Sequence, residues 1–228
     1  MVRFEMICVI CNQSFHPRFT FRSLLFQSKQ FICEECNRYF VKITGPICQY
    51  CGRMMEEDGV CVECESLIRI STIQYNRSIY CYNEGIKSWM NAFKFRGDVA
   101  VAEVVIQELI ESYIKLFSTI PQIVPIPISE ERLQERGFNQ VEILCQMAKL
   151  PLNHCLGRKH SEKQSKLTRK ERLAREQLFF YKKEEKIQNE PILLIDDFYT
   201  TGKTVRDAAK ILLENGASEV YSLTLVRV

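Results

Sequence analysis

The sequence contains no long apolar run, and no window approaches the roughly 18 uninterrupted apolar residues that a membrane-spanning helix requires. Its first residues, MVRFEMICVICNQ, carry charges and two cysteines where a secretory signal peptide has a continuous apolar stretch. The sequence therefore predicts no transmembrane segment, and we expect a cytoplasmic protein. In that reducing compartment, paired cysteines favour metal binding over disulfides.

The sequence also has little excess charge. Its 31 basic and 28 acidic residues give a formal net charge of +3, which does not by itself indicate a nucleic-acid-binding protein. It lacks low-complexity tracts and any repeat beyond paired cysteines. With 228 residues and 46% hydrophobic content, we expect one substantial domain and a small one.

Cysteine, by contrast, is abundant. Eight of the eleven cysteines precede Glu65 in four Cys-x-x-Cys pairs, the spacing at which two thiolates of one tight turn reach the same tetrahedral metal ion. Eight ligands predict two four-cysteine zinc sites, and four thiolates leave no open coordination position, so both sites are expected to be structural. The predicted ligands are Cys8, Cys11, Cys33, Cys36, Cys48, Cys51, Cys61 and Cys64.

The four cysteine pairs can be combined in two ways. Sequential pairing places the first two pairs around one ion and the last two around the other, whereas a cross-brace joins the first pair with the third and the second with the fourth. Sequential pairing is favoured because only a short loop separates Cys51 from Cys61, as in a single zinc ribbon. A redox function is not indicated, since a thioredoxin-like motif occurs singly beside a βαβ unit.

The pattern changes near residue 70, which divides the chain into a zinc-ribbon region at 1–70 and a second domain at 71–228. Helical periodicity and strand-like apolar runs alternate in the second domain. This alternation predicts an α/β fold with a mainly parallel sheet covered on both faces. Strands are predicted at 122–127, 178–181, 191–195 and 219–226.

The most informative run is ILLIDDFYTTGKT at 192–204, where a buried strand leads to Asp196 and Asp197 and then to a turn of small residues that opens a helix. Ligands bind at that edge of open α/β sheets. Unpaired N–H groups at a helix N-terminus suit a phosphate dianion, and glycine allows close approach of the backbone. The residues predicted to enclose a phosphate are Thr200, Thr201, Gly202, Lys203 and Thr204.

The Gly-Lys-Thr tripeptide in this run also occurs in the Walker A motif, but the upstream glycine of that motif is missing. Two adjacent carboxylates would repel a triphosphate, whereas they can accept hydrogen bonds from the vicinal hydroxyls of a sugar. An acid pair beside a phosphate-binding turn therefore indicates a ribose 5-phosphate group.

This run resembles the signature of type I phosphoribosyltransferases, which bind 5-phosphoribosyl 1-pyrophosphate. The resemblance implies that Asp196 and Asp197 hold the ribose 2′ and 3′ hydroxyls and that the sheet is of the type I phosphoribosyltransferase kind. Further runs are similar to the ComF family of competence proteins, and this resemblance spans nearly the whole chain. It implies a role in the uptake of transforming DNA. The runs lie at 82–85, 94–97, 124–127, 132 and 136–140.

The resemblance also implies a pyrophosphate site. The Val-Pro-Ile-Pro run at 124–127 would be the strand end and loop that receives pyrophosphate, and Mg²⁺ would bridge pyrophosphate and ribose oxygens. Nearby cations would stabilise the charge that develops on the departing group. The candidate pyrophosphate-binding residues, two prolines of this loop and four cations, are Pro125, Pro127, Lys94, Arg96, Arg132 and Arg136.

The main basic block lies at 158–175, where eight cations and two glutamates leave a local excess of six positive charges. Three interpretations remain open: a loop that covers the active site, a surface that follows a nucleic-acid backbone, and a solvated helical face. The nucleic-acid candidates are Arg158, Lys159, Lys163, Lys166, Arg169 and Lys170.

Two functions fit these features. The protein is either a phosphoribosyltransferase, in which an acceptor displaces pyrophosphate at C1, or a binding module that receives single-stranded DNA during transformation. A regulatory combination, in which phosphoribosyl pyrophosphate alters DNA or partner binding without turnover, is also open. A competence helicase is suggested as a partner by family resemblance alone.

Overall fold

The structure of the chain is a computed structural model that describes residues 5–17, 31–96, 99–159, 178–182 and 187–228. Among the helices it describes, none combines the length and the apolar character needed to cross a membrane. The strands are β1 (Met6–Ile7), β2 (Ser14–Phe15), β3 (Asn76–Cys81), β4 (Gln122–Pro125), β5 (Leu156–Arg158), β6 (Phe179–Tyr181), β7 (Ile192–Tyr199) and β8 (Val220–Arg227). The α-helices are α1 (Glu34–Asn37), α2 (Val62–Glu65), α3 (Glu84–Arg96), α4 (Val99–Phe117), α5 (Glu130–Arg136), α6 (Gln140–Met147) and α7 (Lys203–Glu214).

Four strands form a parallel sheet in the order β3-β8-β7-β4. Parallel neighbours need crossover connections, which the helices between these strands provide. Two short antiparallel pairs, β1 with β2 and β5 with β6, lie outside this sheet. The predicted fold class, α/β with a mainly parallel sheet after a small four-cysteine region, is confirmed.

The sheet is buried on both faces, as the continuous apolar run of β7 predicts. Successive side chains of a strand point to opposite faces, so β7 contributes to two apolar layers. Leu193 and Ile195 belong to the layer that contains α3, α4 and α6. Ile192 and Leu194 belong to the layer that contains α7 and the second group of paired cysteines. These cysteines therefore share an apolar core with the α/β part of the chain. The division into two domains at residue 70 stays a prediction.

The strand that carries the two aspartates is longer than its sequence pattern predicts. The apolar run ends at 195, whereas β7 continues to Tyr199. The reason is the neighbouring β8, whose ladder still pairs Asp196 with Thr224 and Tyr199 with Arg227. β4 ends at Pro125, opposite Ile195, so the aspartates lie beyond the end of that strand.

Candidate functional site

The eight paired cysteines form two separate groups. Within each group, one sulfur from every cysteine lies within 4.8 Å of the others. Four thiolates about 2.3 Å from one tetrahedral zinc ion lie about 3.8 Å from one another. The sulfurs of Cys11 and Cys33 are 3.8 Å apart, as are those of Cys51 and Cys61, so both groups fit Zn²⁺. Sequential pairing is confirmed, with Cys8, Cys11, Cys33 and Cys36 in the first group and Cys48, Cys51, Cys61 and Cys64 in the second.

The backbone around these sulfurs favours the thiolate form, which is the form that binds metal. Burial opposes ionisation of Cys48, but the N–H groups of Cys61 and Cys51 outweigh it and lower the pKa of Cys48 to about 7. The same competition between burial and N–H groups lowers the pKa of Cys8 to about 6. Burial instead raises the pKa of Cys36 and Cys64, so the cysteines within one group differ in how readily they ionise.

The two aspartates predicted to bind ribose lie together at the carboxyl end of the sheet. Two helices hold Asp197: Lys94 Nζ on α3 is 2.7 Å from its Oδ2, and Gln140 Nε2 on α6 donates to the same oxygen over 3.1 Å. Asp196 is only 8% exposed, and its Oδ1 accepts the Asp197 N–H over 2.9 Å. The pair thus forms one carboxylate cluster between the sheet and the helices.

Their environments separate the pKa values of the two carboxyl groups. Burial, followed by the charge of Asp197, raises the pKa of Asp196 well above its ordinary value. Burial also opposes ionisation of Asp197, but the Lys94 ammonium ion, assisted by the Gln140 amide, outweighs it and lowers the pKa of Asp197. Asp197 is consequently the carboxylate that stays ionised, and Asp196 is the one that holds a proton more readily.

Arginines bring further positive charge to this edge of the sheet. Arg136 Nη1 donates to Gln140 Oε1 over 3.2 Å, and Gln140 in turn donates to Asp197, so the Gln140 side chain connects Arg136 to Asp197. Burial lowers the pKa of Arg158 on β5, and the charge of Arg132 lowers it further, while both aspartates act in the opposite direction. Arg158, a nucleic-acid candidate in the sequence, therefore lies within electrostatic reach of the aspartates.

The predicted phosphate-binding turn connects β7 to α7. Gly202 has a φ of 72°, and a Cβ at this position would lie 2.3 Å from the Tyr199 hydroxyl, so both conformation and space require glycine. No side chain forms a cap hydrogen bond at Gly202, and Lys203 N–H makes only a long contact of 3.4 Å with Thr201 Oγ1. The first N–H groups of α7 are thus available to an anion.

The structure describes some of the remaining candidate residues and not others. Lys203 Nζ lies 2.6 Å from an Asp207 carboxylate oxygen on its own helix, so its ammonium ion is already paired in this structure. Pro125 is buried at the end of β4, and the next residue donates its N–H to the Ile195 carbonyl. Lys159 is exposed after β5. Outside the described residues or side chains lie Arg96, Lys163, Lys166, Arg169 and Lys170.

The sequence patterns left two contacting residues without a role. Gln140 lies in one of the runs that carry the family resemblance, and only the fold shows that it binds Asp197. Arg227 ends an otherwise uncharged strand, and this isolated charge in an apolar run is the one signal that could have identified it. Its Nη1 donates to the carbonyls of Tyr199, the last residue of β7, and Thr200, the first residue of the predicted phosphate-binding turn, over 3.0 Å each.

Solved structures with partial similarity to this chain include phosphoribosyltransferases. The orotate enzyme from Aeropyrum pernix is 16% identical, with a TM-score of 0.37 over 58% of this chain and 63% of that one. The adenine enzyme from Leishmania tarentolae is 14% identical, with a TM-score of 0.37 over 60% of this chain and 74% of that one. No protein-family model matches the chain.

Curated relatives match along almost the whole chain. "DNA utilization protein YhgH" of Salmonella typhimurium is 29% identical over 86% of this chain and 90% of its own length. "Competence protein ComFC" of Streptococcus pneumoniae is 34% identical, covering 97% of this chain and 100% of its own length. The protein of that name from Bacillus subtilis is 40% identical, covering 98% of this chain and 95% of its own length. At this identity and coverage, the chain belongs to the ComFC family of competence proteins.

Proposed function

We propose that this protein binds 5-phosphoribosyl 1-pyrophosphate, or a related ribose 5-phosphate, at the carboxyl end of its parallel sheet. The observation that carries the proposal is the pair of Asp196 and Asp197 carboxyl groups, with Lys94 bound to Asp197 and the charge of Arg158 within electrostatic reach, in the strand that leads to the uncapped start of α7. Carboxylates accept hydrogen bonds from vicinal hydroxyls, while cations and free N–H groups bind phosphoryl oxygens. A ribose that carries phosphate at one end and pyrophosphate at the other presents both kinds of group.

Each part of the proposed ligand has a counterpart in the site. The aspartates take the 2′ and 3′ hydroxyls, and the turn from Thr200 to Thr204 takes the 5′-phosphate. Lys94 has three donors, so it can hold Asp197 and still reach a pyrophosphate oxygen. Mg²⁺ would enter with the pyrophosphate, neutralising its charge, with the two carboxylates as protein ligands of the kind it prefers. The other pyrophosphate cations are Arg132, Arg136 and Arg158.

Isothermal titration calorimetry with phosphoribosyl pyrophosphate and Mg²⁺ tests this proposal. The double variant Asp196→Asn/Asp197→Asn loses two charged hydrogen-bond acceptors, and we expect its affinity to fall about a hundredfold or more. Glu214→Gln is the matched control, because it removes one carboxylate at the far end of α7 and should leave affinity unchanged. Absence of any binding heat with the wild-type protein at millimolar ligand would refute the proposal.

A second assay distinguishes an enzyme from a binding protein. In a transfer reaction, an acceptor nucleophile forms the new bond to C1 while the bond from C1 to pyrophosphate breaks and pyrophosphate leaves with the electron pair. The site would contribute alignment and cations that stabilise the leaving charge. Release of pyrophosphate in the presence of bases, ammonia or sugars would establish turnover, whereas binding without release would assign the ligand a regulatory role.

We also propose that the protein contacts single-stranded DNA during the uptake of transforming DNA, in the cytoplasm and near a competence helicase. The support is the excess of six positive charges at 158–175 together with relatives named for competence and DNA utilization. Fluorescence anisotropy with a labelled oligonucleotide should show affinity that falls steeply with salt. Lys163→Gln/Lys166→Gln should weaken binding and reduce that slope, while Lys210→Gln should not. An affinity for the oligonucleotide that does not change with salt concentration would contradict this role.

A further inference from the structure

We infer that Arg227 is a positioning residue that couples the second cysteine group to the phosphate-binding turn. Its side chain is buried at the end of β8, with 7% of the residue exposed. One guanidinium nitrogen, Nη1, donates to the carbonyls of Tyr199 and Thr200 over 3.0 Å each. The other, Nη2, lies 3.7 Å from Cys51 Sγ. One rigid side chain thus contacts a metal-binding sulfur and the start of the turn.

The chemistry of guanidinium makes this contact directional. Its donors form a planar fork, so acceptors bound by different nitrogens are held at set positions relative to each other. A metal ion keeps its cysteine ligands as thiolates, and a thiolate is a stronger acceptor for a cation than a thiol. Groups that hydrogen-bond to a metal ligand orient it and change metal affinity by about 10–100-fold. Metal at the second group should therefore keep Arg227, and with it the turn, in place.

Arg206 provides a second hydrogen-bonded link between the turn and the region of the second cysteine group. Arg206 Nη1 donates to the Thr201 carbonyl over 2.8 Å, and the Arg206 carbonyl accepts the Thr72 hydroxyl over 2.7 Å, just after the second cysteine group. The second group is also held to the sheet, where Asn76 Nδ2 on β3 donates to the Cys51 carbonyl over 3.1 Å. The turn and this region are therefore joined by Arg206 as well, with Arg227 as the direct bridge to a cysteine sulfur.

The first cysteine group has no comparable link among the residues that the structure describes. Its buried members pack with Ile10, Phe15 and Ile32, none of which contacts the turn in a hydrogen bond. The coupling is therefore expected at one metal ion and not the other. By thermodynamic linkage, a ligand on the turn should raise the metal affinity of the second group only, and this ligand-dependent part rests on the proposed function.

Hydrogen exchange measured by mass spectrometry tests the bridge without any ligand. In zinc-loaded Arg227→Lys, we expect the amides of 200–205 to exchange about tenfold faster than in the wild type, because lysine cannot reach all three acceptors. Arg77→Lys is the matched control: Arg77 donates to the Gln49 carbonyl beside the same cysteines but has no contact with the turn. If the amides of 200–205 exchange at the same rate in Arg227→Lys as in the wild type, the inference is overturned.

A second measurement needs no variant. Limited chelation of the wild-type protein removes zinc, and alkylation of the freed thiols identifies which group has lost its ion. Exchange at 200–205 should rise with loss from the second group and not from the first, while α4 amides stay protected. If exchange at 200–205 rises with zinc loss from the first group, or if it rises equally in α4, the coupling is overturned. In competition with a chelator, phosphoribosyl pyrophosphate should raise the zinc affinity of the second group about tenfold. Failure of this ligand to bind would refute the proposed function alone, whereas binding with unchanged zinc affinity would refute the coupling.

Discussion

The two cysteine groups have the same ligands but differ in how they are built into the protein. In the first group Cys11 is exposed, and only a few apolar residues surround the other three cysteines. In the second group all four cysteines are buried in the apolar layer that contains α7 and one face of the sheet. The surroundings of a metal site, rather than its ligand count, therefore decide what that site stabilises.

The attachments of the two regions to the sheet differ in the same way. The segment after the first group runs beside the outer strand β3, where Cys81 N–H donates to the Val41 carbonyl and Ile43 N–H to the Ile79 carbonyl. The second group is attached through fully buried Asn76, which donates to the Cys51 carbonyl and accepts the Ser222 hydroxyl over 2.9 Å. The first region lies along an edge strand and packs on the core only through partly buried residues such as Ile10 and Phe40, whereas the second group is itself part of the core.

Loss of a single metal ligand should show the largest difference between the regions. Structural zinc contributes on the order of 10 kcal/mol, comparable with the whole stability of a domain. We expect Cys64→Ser to abolish the cooperative thermal transition seen by circular dichroism. Cys11→Ser should keep that transition, with a Tm within about 5 °C of the wild type. Equal losses in the two variants would contradict the comparison.

One asparagine helps to attach each region to the rest of the protein, Asn76 for the second group and Asn83 for the first, and replacing these residues should have smaller and more local effects on stability. Asn76→Ala leaves the Cys51 carbonyl and the Ser222 hydroxyl without a buried partner, and we expect a loss of about 2–3 kcal/mol in the free energy of unfolding by urea. Asn83 donates to the Tyr39 carbonyl after the first group and accepts the Ile86 N–H of α3. Asn83→Ala should cost about 1 kcal/mol, as for a helix cap. A reversed order would contradict the difference in burial.

The aspartates depend on helices α3 and α6 rather than on either cysteine group, and pH can show this. Because Lys94 helps to lower the pKa of Asp197, the ionised pair stabilises the fold above the unfolded-state value of about 3.9 and loses this effect as pH falls through the folded-state pKa. In Lys94→Gln, we expect the acid loss of stability to begin about one pH unit higher. Urea unfolding between pH 3 and 7 measures this shift. Lys210→Gln, which removes an exposed lysine, should leave the profile unchanged.

The smallest effect is expected at the surface contact between the first region and α4. Lys42 Nζ lies 2.5 Å from Glu108 Oε1, but the lysine side chain is 51% exposed. Exposed ion pairs contribute about 0.2–1 kcal/mol and are screened by salt. Lys42→Ala should therefore change the free energy of unfolding by less than about 1 kcal/mol, and less still in high salt. A loss as large as that of Asn76→Ala would show that the first region is integrated more deeply than its burial indicates.

Much of the site is readable in the sequence because its signals are local. The cysteine spacing predicts both ligand groups and their sequential pairing, and the run at 192–204 predicts a strand, an acid pair, a turn and a helix in the observed order. The apolar pattern predicts too early an end for this strand, because pairing with β8 extends β7 past its apolar residues. The sequence groups Arg158 with its basic neighbours in the chain, since it does not show that β5 brings Arg158 within electrostatic reach of the aspartates.

By itself, the sequence determined the two cysteine groups that could hold metal, the α/β class and the candidate residues for hydroxyl and phosphate contacts, since each depends on residue types within a short stretch. Only the tertiary structure decided which cysteine group enters the core and which cations reach Asp196 and Asp197. It also decided that Arg227 lies between Cys51 and the turn, although 176 positions separate Arg227 from Cys51. Such contacts depend on how strands are ordered in a sheet, and no local pattern of residues specifies that order.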